Sequence, residues 1–261
     1  MIRALSTAAT GMEAQQTRLD VTANNIANVS TPGFKRSRAE FQDLMYQTLR
    51  APGAATGSAT RAPTGAEVGM GVRTVSTQRQ HSEGDLRQTG NSLDVAIEGN
   101  GFFPIRLPGG QVAYTRDGSF KIDREGRIVN ADGHQLASEI VVPPEAQSIA
   151  IGADGTVTAS LRNDPNPVDA GRIELATFAN PAGLAALGRN LFRETAASGT
   201  AVTGAPGETG LGMLAQGTLE LSNVKVVEEM IDLISGQRAY EVNARVVRAA
   251  DEMLQQTAGL R

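Results

Sequence analysis

The sequence predicts an α+β chain. A long helix at each end pairs with the other as a coiled-coil-like terminal domain, and an extended connector and a central, mostly antiparallel β-domain lie between them. Three observations predict this. Apolar residues recur every seven positions at both ends, residues 50–66 have no period at all, and from about residue 67 to 221 the period falls to two, with Gly turns at short intervals. The expected division is a discontinuous helical assembly domain, 1–30 with 223–261, a connector, 31–70, and a β-rich outer domain, 71–222.

At the N-terminus Leu5, Met12, Leu19 and Ile26 carry the repeat, with Ala8/Ala9, Gln15/Gln16 and Thr22/Ala23 between them. At the C-terminus Val226, Leu233, Tyr240, Val247 and Leu254 repeat likewise, with Met230, Gln237, Ala244, Asp251 and Ala258 between. Both are seams of period 3.5, the coiled-coil pattern. Their Gln, Thr and Asp members make a closed two-helix pair weak. At about 1.5 Å per residue each helix spans roughly 40–50 Å. Ser222-Asn223 is the expected N-cap of the second helix and Gly259 its stop.

The first helix ends unusually. Asn24, Asn25 and Asn28 crowd its last turns, although Asn prefers caps and turns to helix interiors. Asn25 and Asn28 flank Ile26, and in an isolated helix their amides, each offering both donor and acceptor, would simply be solvated. Thr31-Pro32-Gly33-Phe34 then fits a type II turn, with Pro at the second position and Gly at the third.

Next comes the strip "RAPGAATGSATRAPTGA", residues 50–66, almost all small residues. It reads as an extended or flexible connector. Beyond it, "LDVAIEG" alternates Leu93, Val95 and Ile97, and "RIELATF" alternates Ile173 and Leu175. Asp117-Gly118, Glu125-Gly126, Asp132-Gly133 and Asp154-Gly155 punctuate these runs as hairpin turns do.

Catalytic chemistry finds no foothold. There is no Cys, which removes disulfides, thiol catalysis and Cys-ligated zinc together. The only histidines, His81 and His134, are far apart in sequence, and Asp117, Asp123, Asp132 and Asp154 sit beside turns, where Asp bonds its own backbone. No phosphate loop and no nucleophile elbow is present, so no cofactor, metal or catalytic residue is expected. A formal net charge of −4 argues against nucleic acid. No apolar run is long enough for a secretory signal or a membrane span. What remains is architecture: two ends that pack together, and with other copies of the chain, around a filament core.

At this point the residues resemble a family. "STAATGMEAQQTRLDVTANNIANVSTPGFKRSRAEFQDLMYQ" resembles the N-terminal signature of the bacterial flagellar axial proteins, the rod and hook group. "SLDVAIEGNGFF" and "YTRDGSFKIDREGRIVNADGHQL" resemble the start of that group's β-domain, and "QGTLELSNVKVVEEMIDLISGQRAYEVNARVVRAADEML" its C-terminal helix. Within the group, the length and the segment "YQTLRAPGAATGSATRAPTGAEVG" are most similar to distal-rod members; hook members lack that segment. The resemblance implies a non-enzymatic structural subunit of the distal rod, part of the basal body, that self-assembles into the helical tubular drive shaft carrying torque from motor to hook. It implies export through the flagellar export apparatus without a cleaved signal, a periplasm-spanning position, and contacts with proximal-rod proteins, hook protein and the P- and L-ring proteins. On this view the assembly interface comprises Leu5, Met12, Leu19, Asn24, Asn25, Ile26, Asn28, Val226, Met230, Leu233, Tyr240, Ala244, Val247 and Leu254. Thr31, Pro32, Gly33 and Phe34 form the helix exit, and Pro52, Gly53, Gly57, Arg61, Pro63 and Gly65 mark the rod-type segment, which would block the sliding that bending requires. The alternatives are a hook or proximal-rod subunit of the same family and, from a different class, a secreted β-fold hydrolase acting on the cell wall.

Overall fold

A computed structural model describes residues 2–55, 60–162, 166–208 and 210–259. The chain is α+β and forms two compact units. One comprises Met1–Ala27, Ser37–Gln78 and Lys225–Arg261, the other Asn28–Arg36 and Arg79–Val224.

The first unit contains the two long helices, α1 (Ile2–Ala27) and α2 (Val226–Gly259). They pair antiparallel: Gly11 lies against Asn243, Leu19 against Gly236, Arg18 bonds Asp232 and Asn25 bonds Glu229. The rest of the unit comes from residues 37–78. Strand β1 (Ser37–Asp43) pairs with β4 (Val72–Arg79), and β2 (Tyr46–Arg50) pairs antiparallel with β3 (Ala66–Gly69) in a hairpin. The described part of the strip expected to be extended or flexible, residues 50–55 and 60–66, therefore belongs to the arm of a β-hairpin. Ala51-Pro52-Gly53-Ala54 supplies a turn, with Gly53 at φ 78° and the Ala54 amide donating to the Ala51 carbonyl at 3.2 Å. Ala54 and Ala62 then exchange with the opposite arm through Gly53 and Ala62 amides, each bond 2.9 Å. Pro presets the second turn position and Gly supplies the positive φ of the third.

Beyond its short entry segment and one 3-10 turn, Pro181–Gly183, the regular structure of the described residues of the second unit is β. Its largest sheet is antiparallel and orders Ala185–Gly188, Leu191–Arg193, β8 (Val112–Thr115), β7 (Phe103–Arg106), Gln135–Leu136, Ile128–Val129 and Lys121–Ile122. Between β4 and β7 lie β5 (Leu86–Gln88) and β6 (Val95–Glu98), which pair with Thr218–Glu220 and Met213–Gln216. A three-stranded meander, Ala146–Ile151, Thr156–Leu161 and Val168–Arg172, completes the packing. Val95, Ile97, Phe103, Ile105, Val157, Ile173 and Leu175 are essentially inaccessible at the centre of one continuous apolar cluster. Burying Val95, Ala96 and Ile97 in succession encloses β6 on both faces, so its sequence does not alternate cleanly.

Most of the expected turns form where Gly supplies positive φ: Gly126 (81°), Gly133 (82°) and Gly155 (87°), each donating to the carbonyl three residues before it. Asp117-Gly118 departs from this. Gly118 has no positive φ; a side chain there would collide with the Val95 carbonyl, to which the strand approaches closely. Its glycine serves packing, which a turn motif in sequence does not distinguish.

Candidate assembly site

The helix pair defines the first part of the site. On α1 the enclosed residues are Ala8, Ala14, Thr22 and Asn25, and on α2 they are Glu229, Gly236 and Ala250. Glu229, Gly236, Asn243 and Ala250 repeat every seven residues, so a heptad line does face the partner helix, but it is a line of small and polar residues. The apolar repeat lies beside it. Leu5, Met12, Leu19 and Ile26 are half-buried, as are Leu233, Ala244, Val247 and Leu254, whereas Val226, Met230 and Tyr240 are exposed. The physical reason is close approach. Gly236 would bring a Cβ within 3.0 Å of Leu19, and Gly11 within 3.0 Å of Asn243, so bulk at either position would push the helices apart. Small residues let the backbones meet, and the large apolar side chains are turned to the flanks.

The opposite face of α2 is the more informative one. Val227, Ile231, Ile234, Val242 and Met253 are 70%, 62%, 48%, 56% and 48% exposed. Val227 precedes Gly236, and Ile234 precedes Asn243, by nine residues, or two and a half turns at about 3.6 residues per turn. Val227 and Ile234 thus point directly away from α1 and Ile231 nearly so, whereas Val242 and Met253 lie on the flank. With Val226 and Met230, they form an exposed apolar patch at the start of α2 of a kind that a monomeric surface seldom carries.

The three asparagines have separate roles. Asn25 is 1% exposed. Its amide nitrogen donates to the Ser37 carbonyl at 2.8 Å and to the Glu229 carboxylate at 3.2 Å, and its amide oxygen accepts from the Ser37 amide at 2.9 Å. It thus pairs with the first residue of β1 as a neighbouring strand would, and ties α1, α2 and β1 together within one chain. Asn28 is half-buried in the helix exit, accepting from the Thr31 amide at 3.1 Å through its carbonyl and from the Thr31 hydroxyl at 3.3 Å through its side chain. Asn24 is on the exposed side. The amide with the most bonds is spent inside the subunit, which the sequence reading had given to neighbours.

The exit turn has the type II features: Gly33 at φ 67° and the Phe34 amide donating to the Thr31 carbonyl at 3.2 Å. Thr31 and Pro32 are half-buried, and Gly33 and Phe34 are buried. A Cβ on Gly33 would lie 2.6 Å from the Asp117 amide, so glycine is required on two counts. Ser222-Asn223 is not the cap of α2. The Asn223 side chain instead accepts from the Arg36 amide at 2.7 Å and donates to the Gln80 carbonyl at 2.9 Å, bridging two non-strand segments of the β unit. In the hairpin arm Pro52, Gly53, Arg61 and Pro63 are exposed and Gly65 is half-buried against Pro52; Gly57 lies outside the described residues.

One cluster is marked by no motif in the sequence. Lys35, just past the exit turn, Arg116, and Glu220, shortly before α2, meet in the β unit with side chains 0%, 4% and 1% exposed. The Lys35 ammonium donates to Glu220 at 2.6 Å and to the Ser82 carbonyl at 2.6 Å. Arg116 donates to the other Glu220 oxygen at 2.8 Å and to the carbonyls of Gly99, Gly101 and Ile97. The Gly84 amide adds a bond to Glu220 at 2.9 Å. Burial pushes the Glu220 carboxyl up, but Arg116 and Lys35 outweigh it and hold it below the usual carboxylate range. Burial lowers Lys35, with Glu220 opposing. Three quoted signature stretches, around "PGFKR", "TRDG" and "LELSN", thereby converge on one ion cluster.

Comparison with known proteins places these features. Residues 5–35 match the flagella basal body rod protein model, 96–159 the flagellar hook protein FlgE/F/G D1 domain, and 215–260 the flagellar basal body rod FlgEFG protein C-terminal model. The chain is 49% identical to the flagellar basal-body rod protein FlgG of Caulobacter vibrioides and 46% to that of Buchnera aphidicola subsp. Schizaphis graminum, covering 100% of each chain in both pairs. It is 48% identical to FlgG of Borreliella burgdorferi over 97% of each chain. The chain belongs to the FlgG family of flagellar basal-body rod proteins. As a FlgG-family member it is a structural subunit of the flagellar distal rod, and not an enzyme. It resides in the flagellar basal body.

Proposed function

We propose that this FlgG-family chain polymerises through its terminal helices into the helical tube that carries torque from motor to hook, and that the outward face of α2, Val227, Ile231 and Ile234, with the exposed Val242 and Met253 on its flank, is buried against other copies. The single observation behind this reading is the division of labour on α2: small and polar residues face α1, and the large apolar ones face away. Burial returns about 25 cal/mol per Å² of apolar surface, so a stripe left open in the subunit is a reserve of assembly free energy. Leu5, Met12, Leu19, Ile26, Leu233, Val247 and Leu254, half-buried on the flanks, widen that interface, together with Val226, Met230 and Tyr240. Periplasm-spanning placement, export without a cleaved signal, and contacts with proximal-rod proteins, hook protein, P- and L-ring proteins and the export apparatus belong to the same reading. The hairpin arm, residues 50–66, would stiffen the tube by resisting sliding between neighbours.

The test is Ile231→Asp combined with Ile234→Asp. Both positions are exposed in the subunit, so the β unit keeps its melting temperature, while two carboxylates in an apolar interface cost several kcal/mol. Polymerisation of the purified double variant, viewed by electron microscopy, is expected to fail. Filaments of normal length would overturn the assignment of this face.

A further inference from the structure

Beside the ion cluster, within the β unit, lies a cavity of about 250 Å³ lined by Lys35, His81, Arg116, Phe102 and Phe178, with Asn100, Thr177 and Pro181 at its rim. Its charges do not balance. Lys35 and Arg116 share one carboxylate, Glu220. Of the other groups near them, Arg79 stacks on Phe192 at 5.1 Å with its buried Nε unpartnered, and Glu83 is exposed. At the cavity itself two enclosed cations, Lys35 and Arg116, thus face one enclosed carboxylate, and one positive charge is left over in a poorly solvated place, which is costly.

The donors do not balance either. An ammonium has three N–H groups, and Lys35 uses two; a guanidinium has five, and Arg116 uses four. The Nδ1 of His81 is enclosed and has no hydrogen-bond partner. The His81 ring is held edge-on by Phe102 and Phe192, each 5.5 Å away between centroids, so it cannot turn freely to find one. Phe102 and Phe178 form an apolar wall, in T-shaped contact at 5.7 Å.

We propose that this cavity binds a small organic monocarboxylate, with its carboxylate at Lys35, Arg116 and His81 and its apolar part against Phe102 and Phe178. One surplus charge matches a monoanion. Two or three spare donors match two oxygens, whereas phosphate would bring more charge and more oxygens than the site can satisfy. The aromatic wall suits an apolar tail and would be wasted on a bare inorganic ion. The inference is independent of how the helices assemble.

The experiment is a titration of the full-length protein with benzoate, acetate and inorganic phosphate at constant ionic strength, followed by the NMR signals of the His81, Phe102 and Phe178 rings. Benzoate is expected to saturate with a Kd on the order of 1 mM. It should bind several-fold more tightly than acetate and raise the His81 pKa, now held at about 4 by burial and then by Lys35, Arg79 and Arg116. His81→Phe, which leaves the ion cluster in place, should weaken benzoate at least tenfold. If that variant is unstable, Phe178→Ala should weaken benzoate while sparing acetate. Shifts that stay linear with concentration, that phosphate or chloride produce equally, or that survive both substitutions overturn the proposal.

Discussion

In the β unit, cohesion comes from one apolar cluster running from Val95 to Leu214 and from an ion cluster enclosed beside it. In the helical unit the enclosed line is Ala8, Ala14, Thr22, Asn25, Glu229, Gly236 and Ala250, and the large side chains of α2 are left in solvent. Both units draw on the same residue types, but they spend them differently. The β unit encloses most of its large apolar side chains in a cluster of its own. The helical unit leaves its large outward apolar side chains in solvent and holds itself together by close backbone approach and hydrogen bonds. Ordering a residue costs about 1–2 kcal/mol in backbone entropy. A pair of helices that buries mostly Gly, Ala and polar groups offsets little of this. The contrast suits a subunit that must be competent to fold before assembly but complete only within it.

The largest expected effect falls on the β unit. Glu220→Gln keeps the shape but leaves Lys35 and Arg116 enclosed without a counter-charge. Breaking one partner of a buried ion cluster costs about 3–5 kcal/mol. Denaturant unfolding of the variant, followed by the near-ultraviolet signal of the enclosed Tyr114, should show a loss of that order. A loss below about 1 kcal/mol would mean that the apolar cluster alone sets the stability of this unit, at the scale of an ordinary hydrogen bond.

Next is acid sensitivity. His81 is held at about 4, below its usual 6.5, first by burial and then by Lys35, Arg79 and Arg116, with Glu220 opposing. The folded unit keeps the ring neutral, whereas the unfolded chain takes up a proton near pH 6.5. Stability from this group is therefore complete above pH 6.5 and falls as pH drops toward 4, by up to about 3 kcal/mol at 1.36 kcal/mol per pKa unit. Glu220, also depressed, adds its own loss at still lower pH. Stability measured from pH 7 to 4.5 should decline in wild type and stay nearly level in His81→Phe. Equal slopes would place the acid sensitivity elsewhere.

Much of this architecture was legible in sequence, because it rests on local rules. The heptads located α1 and α2 to within a few residues, and Pro-Gly, Glu-Gly and Asp-Gly pairs located the turns at Gly33, Gly126, Gly133 and Gly155. Relations across the chain were not legible. Apolarity marked Leu5, Met12 and Val226 as the seam, but contact within the subunit is set by where Gly11 and Gly236 permit approach, and a heptad of small residues carries no hydropathy signal. Asn223 was read as a helix cap because caps are local; its partners, Arg36 and Gln80, are far away in sequence. Lys35, Arg116 and Glu220 each looked like an ordinary surface charge. The one available hint was that Glu220 interrupts the run "TLELS" on what would otherwise be an enclosed side.

The smallest effect is expected in the helical unit, and it tests whether the two units unfold separately. Asn25→Ala deletes the amide that bonds Ser37 twice and Glu229 once. It leaves the Ser37 backbone groups short of a partner, which costs about 1–3 kcal/mol. If the helical unit is held by such bonds, that cost appears as local opening. Amide exchange should accelerate in residues 19–27 and at the start of β1, while Val95, Phe103 and Val157 in the β unit keep their protection. The same substitution should leave the outward stripe of α2 chemically unchanged, so assembly weakens only as far as α1 frays. Faster exchange throughout the β unit would mean that the two units open as one, and the contrast between a self-sufficient β unit and a helical unit that awaits its neighbours would then be wrong.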